Sequence, residues 1–96
     1  MAKASKLKRV VLLAFEDAQI LDITGPLQVL GSANRAYGSS FYEIVLAASR
    51  PGPFRTSLGV NLIAEAGYSD SLLRGIDTLI VAGGEGVDRA VRDKTL

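Results

Sequence analysis

The chain of 96 residues has no cysteine, no histidine and no tryptophan. Without cysteine there is no disulfide framework, and compartment is left open. The two missing residue types together remove the usual zinc ligands, thiol nucleophiles and imidazole bases from this stretch of polypeptide. Aromatics are few, at 6%, and net charge is only +1, so no strong field favours nucleic acid or an acidic surface. No apolar run approaches the roughly 18–20 residues of a membrane span. The basic lead-in MAKASKLKR is followed by six apolar residues and then by Glu16-Asp17, short of the roughly 7–15 apolar residues of a secretory h-region. A flexible basic lead-in over 1–8 and a cytoplasmic location are therefore expected, with no membrane association.

What is present is apolar sequence in blocks, 48% of the chain. Four segments read as strands: Val10–Phe15, Tyr42–Ala48, Val60–Ala64 and Thr78–Ala82. Three of them are continuous rather than alternating in their apolar residues, the pattern of a parallel sheet covered on both faces. Val60–Ala64 alternates and follows a Ser57-Leu58-Gly59 turn, so it reads as a half-exposed strand or hairpin arm. Ser49-Arg50-Pro51-Gly52-Pro53 reads as a breaker run that closes the second strand.

Helices are expected in between. Pro26 to Tyr37 puts Leu27, Leu30, Ala33 and Tyr37 on one stripe, flanked by Val29 and Ala36. Thr24 or Gly25 would cap it, Pro26 suits the first turn and Gly38 the stop. Ser69–Arg74 suits a short turn with Leu72 and Leu73 inward, and a long helix is expected from Val87 onward, with Val87, Ala90 and Val91 on one side. The order predicts an α/β fold with a mainly parallel sheet. The last helical pattern reaches Leu96 with no cap and no following strand, so the chain reads as the front part of a larger domain.

Two places carry chemistry. Asp22 stands between the end of the first strand and Thr24-Gly25-Pro26, where α/β proteins gather ligands beyond the carboxyl ends of their strands. It could orient a ligand or act as a base. On spacing alone, satisfying free amides at the helix start is the stronger role. Gly83-Gly84-Glu85-Gly86 follows the fourth strand. Its amides could form an anion nest, or the glycines could simply permit a tight strand-to-helix turn. Position 89 is arginine, so G-x-G-x-x-G is not met, and no P-loop lysine is present. No metal or organic cofactor is implied. Glu16 and Asp17 read as a solvated loop. Arg50, Arg55, Arg74, Arg89 and Arg92 read as solvated surface, and Tyr37, Tyr42 and Phe54 as core or interface.

Taken together, Asp22 to Leu30 (DITGPLQVL) resembles the LD-x-x-GP-x-x-V signature of the ThiJ/PfpI, or class I glutamine amidotransferase-like, superfamily. YEIVLAAS, a Gly-Pro turn, TSLGVNLIAE and IDTLIVAGGEG follow in the same order. One departure is Ala82, where many members have proline. The resemblance implies a flavodoxin-like three-layer sandwich, incomplete here, with residues 9–96 as its leading part. It leaves two branches. In AraC-type (GlxA-like) transcriptional regulators this domain senses a small ligand, and DNA is bound by a separate downstream helix-turn-helix domain. In isocyanide hydratase-like enzymes the acid matching Asp22 works with a cysteine on a nucleophile elbow, which would fall beyond Leu96. The wording GPLQVL with Ala33-Asn34 resembles the regulator branch more closely. The resemblance therefore implies a sensor domain, a homodimer, and a ligand near Asp22, Gly83, Gly84 and Glu85. Under the enzyme branch Asp22 would be catalytic.

Overall fold

The computed structural model describes residues 7–38, 41–70 and 73–93. Six strands and two helices follow in the order β1 (Lys8–Leu13), α1 (Leu21–Tyr37), β2 (Tyr42–Ala48), β3 (Gly52–Arg55), β4 (Asn61–Ala64), β5 (Ala66–Gly67), β6 (Thr78–Val81) and α2 (Val87–Ala90). Four of the strands form one sheet in the order β5-β2-β1-β6. Every pairing in it is parallel, with Val10 beside Ile44 and Thr78, and Ala47 beside Ala66. This is the expected α/β, flavodoxin-like arrangement.

The continuous apolar runs are explained by burial on both faces of β1. Val10 and Leu12 join Ala14, Ile23, Ala48 and Phe54 in one cluster, with Leu30, Ile44 and Ile80 packed against it. Val11 points the other way into a cluster with Val45, Ala47 and Ala66, which Leu73 covers. Leu79 and Val81 lie in register with Val11 and Leu13 and are 50% and 56% exposed. Coverage of that second face thus weakens toward β6. At the amino ends of the strands, the Arg9 guanidinium donates to Glu43 Oε1 and to the Arg74 carbonyl, while Arg9 N–H donates to Asp77.

The first helix begins five residues earlier than the Gly-Pro cue suggested. Ile20 stands at its N-cap without a side-chain cap, and Pro26 lies inside the helix rather than in its first turn. Burial decides this: Ile23 is 1% exposed in the main cluster, and Thr24 Oγ1 donates to the Ile20 carbonyl. Gly38 stops the helix as expected, in a left-handed conformation with its N–H donating to Asn34 and Arg35 carbonyls. The expected apolar stripe does not face the core. Leu27, Val29, Ala33, Ala36 and Tyr37 are exposed, and only Leu30 of the stripe is half-buried. Asn34 anchors the helix instead: its Nδ2 donates to the Tyr42 carbonyl, and its Oδ1 accepts from the Phe41 and Tyr42 N–H groups.

The hairpin expected around Val60–Ala64 is present, but its other arm is the supposed breaker run. Gly52 and Pro53 pair with Ala64 and Ile63 in an antiparallel two-stranded sheet. A two-stranded ribbon is all edge, where proline is tolerated. The last helix is short, four residues ending at Ala90, with Val87 and Val91 exposed and Ala90 buried. Of the turn expected over 69–74, residues 71–72, including Leu72, lie outside the described residues, as do 94–96. Among the described residues no helix is long and apolar enough to cross a membrane.

Candidate functional site

The carboxyl ends of β1, β2 and β6 meet at the loop over 14–19. Ala14 N–H continues the ladder to the Ala47 carbonyl, and Ala82 N–H donates to Leu13. The chain then turns at Asp17, whose φ is 64°, a left-handed conformation that aspartate tolerates better than most side chains. Ala18, fully buried, bridges to Thr56 on one side and to Gly84 on the other. The hairpin and the glycine turn are thus both docked on one short segment. Asp17 N–H donates to the Arg55 carbonyl, Ser57 N–H to Ala18, and Gln19 N–H to Gly83.

Asp22 and the glycine turn are in direct contact. Gly83 N–H donates to Asp22 Oδ2 at 2.9 Å. Sixty-one positions of sequence are closed by this one bond from the first turn of α1 to the end of β6. No bond to Asp22 Oδ1 is present among the described residues, and the side chain is half-buried. The acid therefore has one oxygen engaged and one open. The glycines are required by close approach. A Cβ at Gly84 would lie 2.5 Å from Gln19 N, and Gly84 has φ of +129°. A Cβ at Gly86 would lie 1.9 Å from the Glu16 carbonyl oxygen. Two of the amides considered for an anion nest are used internally, Gly83 by Asp22 and Gly86 by the Asp17 carbonyl. Glu85 is exposed.

A cleft of about 640 Å³ opens at the same rim. Its lining includes Phe15, Phe54, Tyr68, Glu16, Arg50 and Arg89, and it does not include Asp22, Gly83, Gly84 or Glu85. Tyr68 O–H donates to the Ala14 carbonyl. Burial, and secondly the nearby charge of Asp93, push the phenol up to about 12. Two residues read as solvent-facing are engaged here. Arg89 forms an ion pair with Asp17, and Glu16 Oε2 accepts from Arg55 N–H. Tyr68 carried no signal in sequence, because it is a lone tyrosine just beyond a two-residue strand. Among the described residues no three side chains of metal-ligating type gather in one place.

No family model matches the sequence. It is 34% identical over 77 residues to the uncharacterized protein in cpoL 5'region of Streptomyces lividans, covering 80% of this chain and 52% of that protein. Among solved structures, a ThiJ/PfpI domain protein from Brachyspira murdochii superposes with a TM-score of 0.75 at 15% identity, over 95% of this chain and 49% of that one. An AraC family transcriptional regulator from Pseudomonas putida superposes with a TM-score of 0.67 at 26% identity, over 80% of this chain and 40% of that one. The chain has the ThiJ/PfpI fold. It spans about half the length of its curated relative and less than half of either solved neighbour. In this fold Asp22 to Pro26 supply the first turn and a half of α1, and Gly83-Gly84 supply the turn that Asp22 holds.

Proposed function

We propose that this chain is the leading part of a ligand-sensing domain of an AraC-type transcriptional regulator, with DNA bound by a separate domain. The observation that carries the reading is the likeness to the Pseudomonas putida AraC regulator, 26% identical over 80% of this chain. The wording GPLQVL with Ala33-Asn34 supports the same branch. The ligand sits at the strand-end rim beside Asp22, Gly83, Gly84 and Glu85. Asp22 Oδ1 would accept a hydrogen bond from it, while Oδ2 stays on Gly83. The regulator works as a homodimer in the cytoplasm. Its response requires that the ligand bind one arrangement more tightly than another, since equal affinity for both shifts nothing.

A second reading draws on the same bond. A carboxylate fixed by a backbone amide at the carboxyl edge of a sheet is suited to holding or moving a substrate proton. In an isocyanide hydratase-like enzyme, Asp22 would do so beside a cysteine contributed from beyond residue 96.

Footprinting of the full gene product on its own upstream DNA, paired with a promoter reporter, separates the two. The regulator reading expects a protected operator and a ligand response that Asp22→Asn weakens about tenfold, the scale of one charge-assisted hydrogen bond. No protection at any concentration, or an Asp22→Asn response equal to wild type, overturns it.

A further inference from the structure

The cleft that excludes Asp22 has a composition of its own. Its floor is apolar: Phe15, Phe54, Ala48 and Ala90 are each at most 8% exposed and line it together. Its volume of about 640 Å³ lies in the range of small-molecule sites, about 300–1,000 Å³. Its rim carries both signs of charge, with Arg50 and Arg89 against Glu16 and Asp93. These come from three separate chain segments: the exit of β1, the exit of β2, and the region of α2.

The charges are unequally occupied. Arg89 is paired with Asp17. Arg50 has no ion-pair or hydrogen-bond partner among the described residues. Glu16 accepts a backbone N–H from Arg55 at Oε2, a neutral donor that leaves the negative charge uncompensated. Tyr68 adds no charge below strongly alkaline pH, because its phenol is held protonated. An apolar floor under a guanidinium and a carboxylate that are not paired with any side chain among the described residues suits a molecule carrying both charges.

We infer that this cleft binds a small zwitterion with an apolar body, an α-amino acid with a hydrocarbon or aromatic side chain. Its carboxylate would pair with Arg50, its ammonium group with Glu16, and its side chain would lie over Phe15 and Phe54. A plain carboxylate leaves Glu16 unmatched, and a plain amine leaves Arg50 unmatched. The assignment rests on the cleft alone and does not depend on the regulator reading.

Three probes sharing one hydrocarbon skeleton test it on the full gene product: L-phenylalanine, 3-phenylpropanoate and 2-phenylethylamine. Binding is followed by calorimetry and by backbone amide shifts. Phenylalanine is expected to saturate and to move the Glu16, Ser49 and Arg50 amides, with each single-charge probe about tenfold weaker or more, since each lacks one charge-assisted contact. Arg50→Gln is expected to weaken phenylalanine while leaving phenylethylamine unchanged. Glu16→Gln, whose amide oxygen can still accept from Arg55, is expected to weaken phenylalanine while leaving phenylpropanoate unchanged. Both positions are exposed, and amide spectra of each variant verify the fold. Absent saturation, equal affinity for all three probes, insensitivity to both substitutions, or shifts centred on Asp22 and Gly83 would each overturn the assignment.

Discussion

Substituting Gly86 by alanine tests how tightly the glycine turn is pressed on the loop after β1. Gly86 has φ −80° and ψ 1°, which any L-residue adopts, so backbone strain contributes nothing. The added Cβ would stand 1.9 Å from the Glu16 carbonyl oxygen and 3.1 Å from the Phe15 ring. One segment must move by more than an ångström or so, and overpacking of that kind costs about 1–3 kcal/mol. The shift also endangers the bonds from Asp17 N–H to Arg55 and from Ser57 N–H to Ala18, worth about 0.5–1.5 kcal/mol each. A total of about 3–4 kcal/mol is a large part of the stability of a typical domain, about 5–15 kcal/mol. Gly59→Ala is the matched control. Gly59 has φ +85° and nothing within 4 Å of its would-be Cβ, so it carries only the left-handed penalty, about 1–2 kcal/mol, offset by about 0.4–1 kcal/mol from the less flexible unfolded chain. Urea denaturation followed by circular dichroism reads both. The unfolded-chain offset applies equally at Gly86 and cancels, leaving a difference of about 1–3 kcal/mol, so with a slope of about 1–3 kcal/mol per molar urea the Gly86→Ala midpoint should fall roughly 1 M further than that of Gly59→Ala. Equal midpoints would refute the claim that contact sets the residue at position 86.

Two further outcomes follow from the same rim. Folding raises the Tyr68 phenol from 10.0 to about 12, so its contribution to stability is fully in place below pH 10 and is lost as pH rises from 10 toward 12; Tyr68→Phe should flatten that part of the stability profile, and absorbance at 295 nm should show one of the three tyrosines ionising last. Thr56 is fully buried and its hydroxyl donates to the Val60 carbonyl at 2.7 Å, so Thr56→Val should cost about 1 kcal/mol in the same urea assay, a loss that an unchanged midpoint would contradict.

Much of the sheet was legible because its strands are apolar on both faces. Tyr42–Ala48 was bounded in the sequence as it stands in the fold, and Thr78–Ala82 missed by one residue. The first helix was misread at both start and face for a single reason. Local punctuation by Gly25-Pro26 resembles a helix start, whereas the true start is fixed by burial of Ile23 and by bonds to Ile20, which depend on the sheet being present. Gly52-Pro53 misled in the same way, since a breaker pair is also compatible with an edge ribbon. The proximity of Asp22 to Gly83 was legible through the rule that strand ends share a rim. The separate cleft was not, because Arg50 comes from a turn, Tyr68 follows a strand of only two residues, and Phe15 and Phe54 converge only after the hairpin folds back.

Ala18 joins the ribbon to the glycine turn through two bridges made by one backbone residue. A shift of that residue would strain the bridges to Thr56 and to Gly84 at once. The same residue thus anchors the ribbon whose turn and second strand hold Leu58, Val60 and Ile63 out in solvent.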